Sequence, residues 1–158
     1  MKPTYILDEA LAKRVIAVVS KGLSCGLGTP VPGSMCVEAA VCYAMNLPHG
    51  DEPTCVHADV RKFKIHLNDS SWSSNKARAE GMLRIAIAQL GSESIDIQIF
   101  KQELQRLTIK RIVATALREA AKLHPEQKHK DALEQAAKDC EANPSKETAR
   151  AVPYSARS

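Results

Sequence analysis

Aromatic residues are scarce. Phe, Tyr and Trp together make up 4% of the 158 residues. Strands of a β-sandwich draw on aromatic and β-branched side chains, so this scarcity argues against that architecture and for close-packed helices built on Ala, Leu, Ile and Val. Long apolar runs are missing too. None approaches the ~20 residues that span a bilayer, so no membrane partner is expected. Charge of one sign is not concentrated anywhere: the net charge is +4, with 10 basic and 8 acidic side chains in residues 1–91 and 12 and 10 in 92–158. Without a basic tail there is no strong electrostatic footprint for nucleic acid, which is not expected as a partner. The N-terminal apolar stretch is broken by Asp8, Glu9, Lys13 and Arg14, unlike a signal peptide. The five cysteines are odd in number and follow no disulfide-framework spacing, so a cytoplasmic chain with reduced thiols is expected. The glycine-rich segment 24–33 (SCGLGTPVPG) is followed by no GK[ST] and preceded by no strand, which excludes a phosphate loop. No cofactor is expected.

What is present is 44% hydrophobic and 25% charged residues, the balance of one ordinary soluble domain. Periodicity and capping residues predict an all-α fold, a compact bundle of about seven short helices over 1–142, with a flexible tail over 143–158. The first helix starts at Asp8 as N-cap and runs to residue 21, with Leu11, Val15 and Val18 inside and Gly22 closing it. The second starts at Ser34 as N-cap, ends near Asn46, and is apolar on nearly every face, hence central. The third covers 55–67, with Val56, Val60, Phe63 and Leu67 as its buried stripe and Arg61, Lys62, Lys64 and His66 on the other face. Ser73 caps the fourth, with Trp72 and Ala77 as a hydrophobic staple, and the helix stops at Gly91. A fifth helix spans 95–107. Thr108 caps a sixth, whose apolar face is Ile109, Ile112, Val113, Ala116, Leu117 and Ala120. Pro125 suits the first position of a seventh, which carries Leu133, Ala136, Ala137 and Cys140.

Candidate chemistry gathers in 33–57, GSMCVEAAVCYAMNLPHGDEPTCVH. Cys36, Cys42, His49, Cys55 and His57 are soft or borderline zinc ligands. Structural zinc sites bring ligands in close pairs, and only Cys55 and His57 come as one, so the residues kept for a metal site are Cys36, Cys55 and His57, against a reading of Cys36 and Cys42 as buried fillers. With Ser34 as N-cap, Cys36 stands at a helix start that favours a thiolate. His57 or His49 would then be its base and Asn68 or Asp69 the orienting group, a Cys36–His57–Asn68 hydrolase arrangement. Glu38, in the first turn of an apolar helix, needs partners if buried. Glu38, His49 and Asp51 are the candidate ligand-binding residues. Arg61, Lys62 and Lys64 could touch phosphates, although no aromatic platform accompanies them.

The stretch CVEAAVCYAMNLPHGDEPTCVH, followed by FKIHLND, WSS and IAIAQLGS, resembles a family of bacterial and phage-associated helical proteins with no assigned activity. The family pattern is a C-x-x-E-A helix, for which this chain has the shorter C-V-E-A, then P-H-G-D-x-P-x-C-V and an N-D break. The resemblance covers about 23–92. The later stretch HKDALEQAAKDCE is similar to alanine-rich helical segments of immunity proteins, which continue into alanine repeats where this chain has ARAVPYSARS. With the helical pattern and the lack of a strong catalytic constellation, the resemblance leads to the expectation of a non-enzymatic helical module that binds a protein partner, in the manner of an immunity or inhibitor protein. Homo-oligomerisation is the other association it allows.

Overall fold

A computed structural model describes residues 5–151. The described residues are helical, with no β-strand beyond one isolated bridge between Gly28 and Met35. No helix among them is long and apolar enough to cross a membrane. Instead of the single domain expected over 1–142, the chain divides into two compact units, Met1–Ile95 and Asp96–Ser158.

Among the described residues the first unit holds four α-helices, α1 (Glu9–Val19), α2 (Val37–Ala44), α3 (Ala58–Asn68) and α4 (Asn75–Ala88), and a short 3-10 turn, Ser92–Ser94. Asp8 caps α1 as expected, its Oδ1 accepting the Leu11 N–H at 2.7 Å, and Leu11, Val15, Val18 and Val19 are buried. α2 is the central element: residues 37–42 are all buried, and it packs on α1, α3 and α4. It begins two residues later than expected. The preceding chain stays extended because it folds back on the glycine-rich loop, Ser24 N–H bonding the Met35 carbonyl and Thr29 N–H the Ser34 carbonyl. Gly28 allows this return. Its φ is +71°, and a Cβ there would fall 2.1 Å from the Ser34 carbonyl oxygen. Ser34 therefore belongs to the loop, and Cys36 is the N-cap.

α3 starts three residues later than expected, after its N-cap His57, and other details differ at α4. Ser74, not Ser73, caps α4, and its Oγ accepts the Ala77 N–H at 3.0 Å. Trp72 does not form a staple. Its ring lies over Gly81, where a Cβ would come within 2.4 Å, and its Nε1 donates to the Leu67 carbonyl at 3.0 Å.

The second unit contains α5 (Ile97–Leu107), α6 (Ala114–Leu123), α7 (Gln127–Ala142) and α8 (Lys146–Arg150). Thr108 does not start a new helix. Its hydroxyl donates to the Leu104 carbonyl at 2.7 Å, and the chain continues from α5 into α6 through a π-turn, Thr108–Val113. There the Ala114 N–H reaches the Ile109 carbonyl, five residues back. The extra residue turns the following helix by about 100°. Ala114 and Ala121 are consequently buried one place beyond the expected Val113 and Ala120, and Ile112 is 66% exposed. α7 starts at Gln127 with Glu126 as its N-cap, so Pro125 precedes the helix and does not take the first helical position expected for it. Leu133, Ala136, Ala137 and Cys140 are its buried stripe, as expected, and Ala137 and Cys140 pack with Ile109 and Ala114. Residues 143–151 are not the flexible tail expected there: Ser145 and Thr148 form a capping box that starts α8. Residues 152–158 lie outside the described residues.

Candidate functional site

The N-terminus of α2 is where the candidate residues of the first unit meet. Cys36 accepts the Ala39 N–H on its Sγ at 3.4 Å, so its sulfur serves as the helix cap. Glu38 lies one residue into the helix and is fully buried.

Its partner comes from α3. The buried positions of that helix are Val60, Lys64 and Asn68, spaced four apart: Val60 is buried as expected, but beyond it burial falls one place past the expected Phe63 and Leu67. Phe63 is 41% exposed in consequence, and Lys64 is wholly buried. The Lys64 Nζ lies 2.6 Å from Glu38 Oε1, and both side chains have 0% exposure. Burial pushes the Glu38 carboxyl up from the usual range and the Lys64 ammonium down, in each case against the attraction of the other group. Gln89, at the end of α4, is buried against the carboxylate and steadies its charge, but neither of its amide atoms makes a well-aligned hydrogen bond.

Asn68 completes the docking of α2 on α3. Its Oδ1 accepts the Val37 N–H at 3.2 Å, and its Nδ2 donates to the Ser24 carbonyl at 2.9 Å and to Asp69 Oδ1 at 2.8 Å. Arg78 of α4 then ties the end of α3 to the loop, its Nε donating to the Asn68 carbonyl at 2.8 Å and its Nη1 to the Leu23 carbonyl at 3.0 Å. The first turn of α2 is thus held by a carboxylate–ammonium pair and an amide, both reaching from the same face of α3.

The other expectations fare differently. Cys36, Asp51, Asn68 and Asp69 border one small cavity of about 80 Å³, but Glu38 and His49 are not among its lining residues. His49 is exposed, its Nε2 3.2 Å from the Gly28 carbonyl. The arrangement Cys36–His57–Asn68 is not assembled: the His57 Nδ1 caps α3 by accepting the Asp59 N–H at 3.1 Å, and Asn68 is occupied by backbone. Burial raises the Cys36 thiol pKa against the pull of the Ala39 and Glu38 backbone N–H groups. It raises that of Cys55 as well and pushes Cys42 up to about 12, all away from thiolate chemistry. Cys36, Cys55 and His57 do not form a metal site, since no group of three or more His, Cys, Asp or Glu among the described residues is placed to hold an ion. The basic face proposed on α3 is not formed either. Lys64 points inward, Arg61 pairs with Glu52, and Lys62 alone of the three lies free on the exposed surface.

Sequence reasoning missed Lys64 as the partner of Glu38, and Gln89 beside it. The available signal was the need of a buried acid for a cation, combined with the i, i+4, i+8 spacing of Val60, Lys64 and Asn68. Comparison with family models, curated proteins and solved structures finds no match to this chain.

Proposed function

We propose that this chain is a non-enzymatic helical module that binds another protein. The observation that carries the reading is a groove of about 340 Å³ between the start of α1 and the turn after α2, lined by Tyr5, Ile6, Leu11, Met45 and Leu47. Its polar neighbours are already engaged: Asp8 caps α1, and the Arg14 Nε donates to the Ala44 carbonyl at 2.9 Å. The groove is therefore mixed in character: Tyr5, Ile6, Leu11, Met45 and Leu47 give it an apolar anchor site, and Asp8, Arg14 and Thr54 give it polar edges, the make-up of a protein-binding surface. Ile6, at its edge, is 73% exposed. The occupant is an apolar segment of a partner protein. Cys36, His57, Asn68, Glu38 and Lys64 all serve structure, which supports the same reading. The finer assignment, an immunity or inhibitor protein in bacterial or phage conflict, rests on the resemblance of 23–92 and of the α7 sequence.

The test uses the full chain as bait on an extract of its source organism, with gel filtration for self-association. The expected result is a stoichiometric partner, or a defined oligomer, that is lost with Ile6→Glu. Because Ile6 is exposed, that change leaves the fold intact. A monomer that captures nothing, or capture indifferent to Ile6→Glu, refutes the reading.

A further inference from the structure

The continuous helix and α7 of the second unit together border a basic concavity of about 610 Å³, lined by Lys110, Arg111 and Thr115 from the first and Lys138, Glu141 and Ala142 from the second. Two of its six lining residues, Lys110 and Arg111, sit on the π-turn, a local widening that recurs at functional sites.

The charge of this concavity is uncompensated for a specific reason. Elsewhere on the same helix, cations are matched to acids one turn away: Arg106 with Glu103, Lys122 with Glu119. Lys138 has such acids at i−4 and i+3, Glu134 and Glu141, but Arg118 takes both. Its guanidinium grips Glu141 in a two-pronged contact, at 2.5 Å to Oε1 and 2.7 Å to Oε2, and reaches Glu134 Oε1 at 3.2 Å. The pairing holds the Glu141 carboxyl below its usual pKa, with a smaller pull from Lys110. Arg111 has no acid at i±3 or i±4. Among the described residues, neither Arg111 nor Lys138 makes an ion pair or hydrogen bond. Arg111 and Lys138 thus stand beside a buttressed acid, with no ion-pair partner of their own among the described residues.

We propose that this concavity binds an acidic segment of a partner protein, with Arg111 and Lys138 as its carboxylate-reading residues, Lys110 adding charge and the Thr115 hydroxyl available as a donor. This deepens the protein-binding reading and rests on it. Charge complementarity names the ligand as anionic. Three features favour carboxylates on a peptide over a nucleic acid. The exposed Ile112 on the same turn supplies an apolar edge. No aromatic side chain lines the concavity to stack a base. The unit as a whole, with 12 basic and 9 acidic side chains in 96–158, has little of the excess charge that drives binding to a polyanion.

The test measures binding of a labelled oligo-glutamate peptide to the full chain, beside a single-stranded oligonucleotide of equal charge. The peptide is expected to bind the wild type, and Arg111→Glu with Lys138→Glu to weaken it about tenfold or more. Lys62→Glu with Lys76→Glu, on the exposed surface of the first unit, is expected to leave it unchanged. Circular dichroism confirms that the variants fold. No peptide binding, equal loss from both pairs of reversals, or an oligonucleotide that binds tighter than the peptide through Arg111 and Lys138 overturns the proposal. Partner capture that is lost with Ile6→Glu but retained with Arg111→Glu and Lys138→Glu would sink this inference and leave the protein-binding reading standing.

Discussion

Removing one member of the Glu38–Lys64 pair should destabilise the first unit far more than removing both. At 2.6 Å and an effective dielectric of about 20, the attraction is roughly 6 kcal/mol. Taking two ions out of water costs several kcal/mol each, so the pair nearly cancels against its own desolvation. A lone survivor keeps the penalty without the attraction and escapes it by becoming neutral. For Lys64→Met at pH 7, protonating Glu38 from a reference near 4.3 costs about 4 kcal/mol, and for Glu38→Met, deprotonating Lys64 from a reference near 10.4 costs about 5 kcal/mol. Both agree with the about 3–5 kcal/mol typical of a broken buried pair. The signs of their pH dependence are opposite. In Lys64→Met the folded carboxyl has a raised pKa, so stability is greatest in acid and falls as pH rises above the unfolded value; the deficit shrinks as pH drops from 7 toward about 4.3. In Glu38→Met the folded ammonium has a lowered pKa, so the deficit shrinks as pH rises toward about 10.4. The double Met variant should lie within about 1 kcal/mol of wild type, or above it, with neither pH trend. Urea unfolding followed by Trp72, the single tryptophan, reports on this unit. Single-variant losses under about 1 kcal/mol, matching pH trends, or a double variant as weak as the sum of the singles would refute the reasoning.

In the folded protein at mildly alkaline pH, iodoacetamide should modify the exposed Cys25 quickly and Cys36, Cys42, Cys55 and Cys140 only on unfolding, as read by mass spectrometry. Fast alkylation of Cys36 would restore the nucleophile reading. Asp69→Asn should lower stability at neutral pH. Burial raises the Asp69 carboxyl, but the Gly26 N–H at 2.8 Å, the Asn68 amide, the Cys25 thiol and the Arg78 charge outweigh it and hold the pKa below the usual range. Its contribution is therefore present above the unfolded value near 3.9 and lost as pH falls through the lower folded one. A wild-type-to-variant difference in urea midpoint that persists unchanged into strong acid contradicts this assignment.

The helical class was legible because low aromatic content and 3.6-residue periodicity point the same way, and α7 shows how far that reaches. Its stripe of Leu133, Ala136, Ala137 and Cys140 is buried as spaced. Spacing fails where a different force sets the phase. The segment 109–120 fits a straight helix equally well with or without a π-turn, since the extra residue shows only as a one-place shift of what is buried. The division near Ile95 was hidden because the break after Gly91 reads like any other short connection between helices. In the candidate site, half of the signal could be read. An acid in a wholly apolar helix needs a partner, but its identity depended on which face α3 turns to α2. Counting apolar residues weights Phe63 and overlooks Lys64, whose burial is favoured only because Glu38 already waits inside. The polar pair thus has a consequence on the outside of the molecule. With Lys64 and Asn68 set against the first turn of α2, the second half of α3 turns Phe63 out of the core and into contact with solvent. Two charges sealed in the centre, adding little net stability, select which apolar side chains the first unit displays.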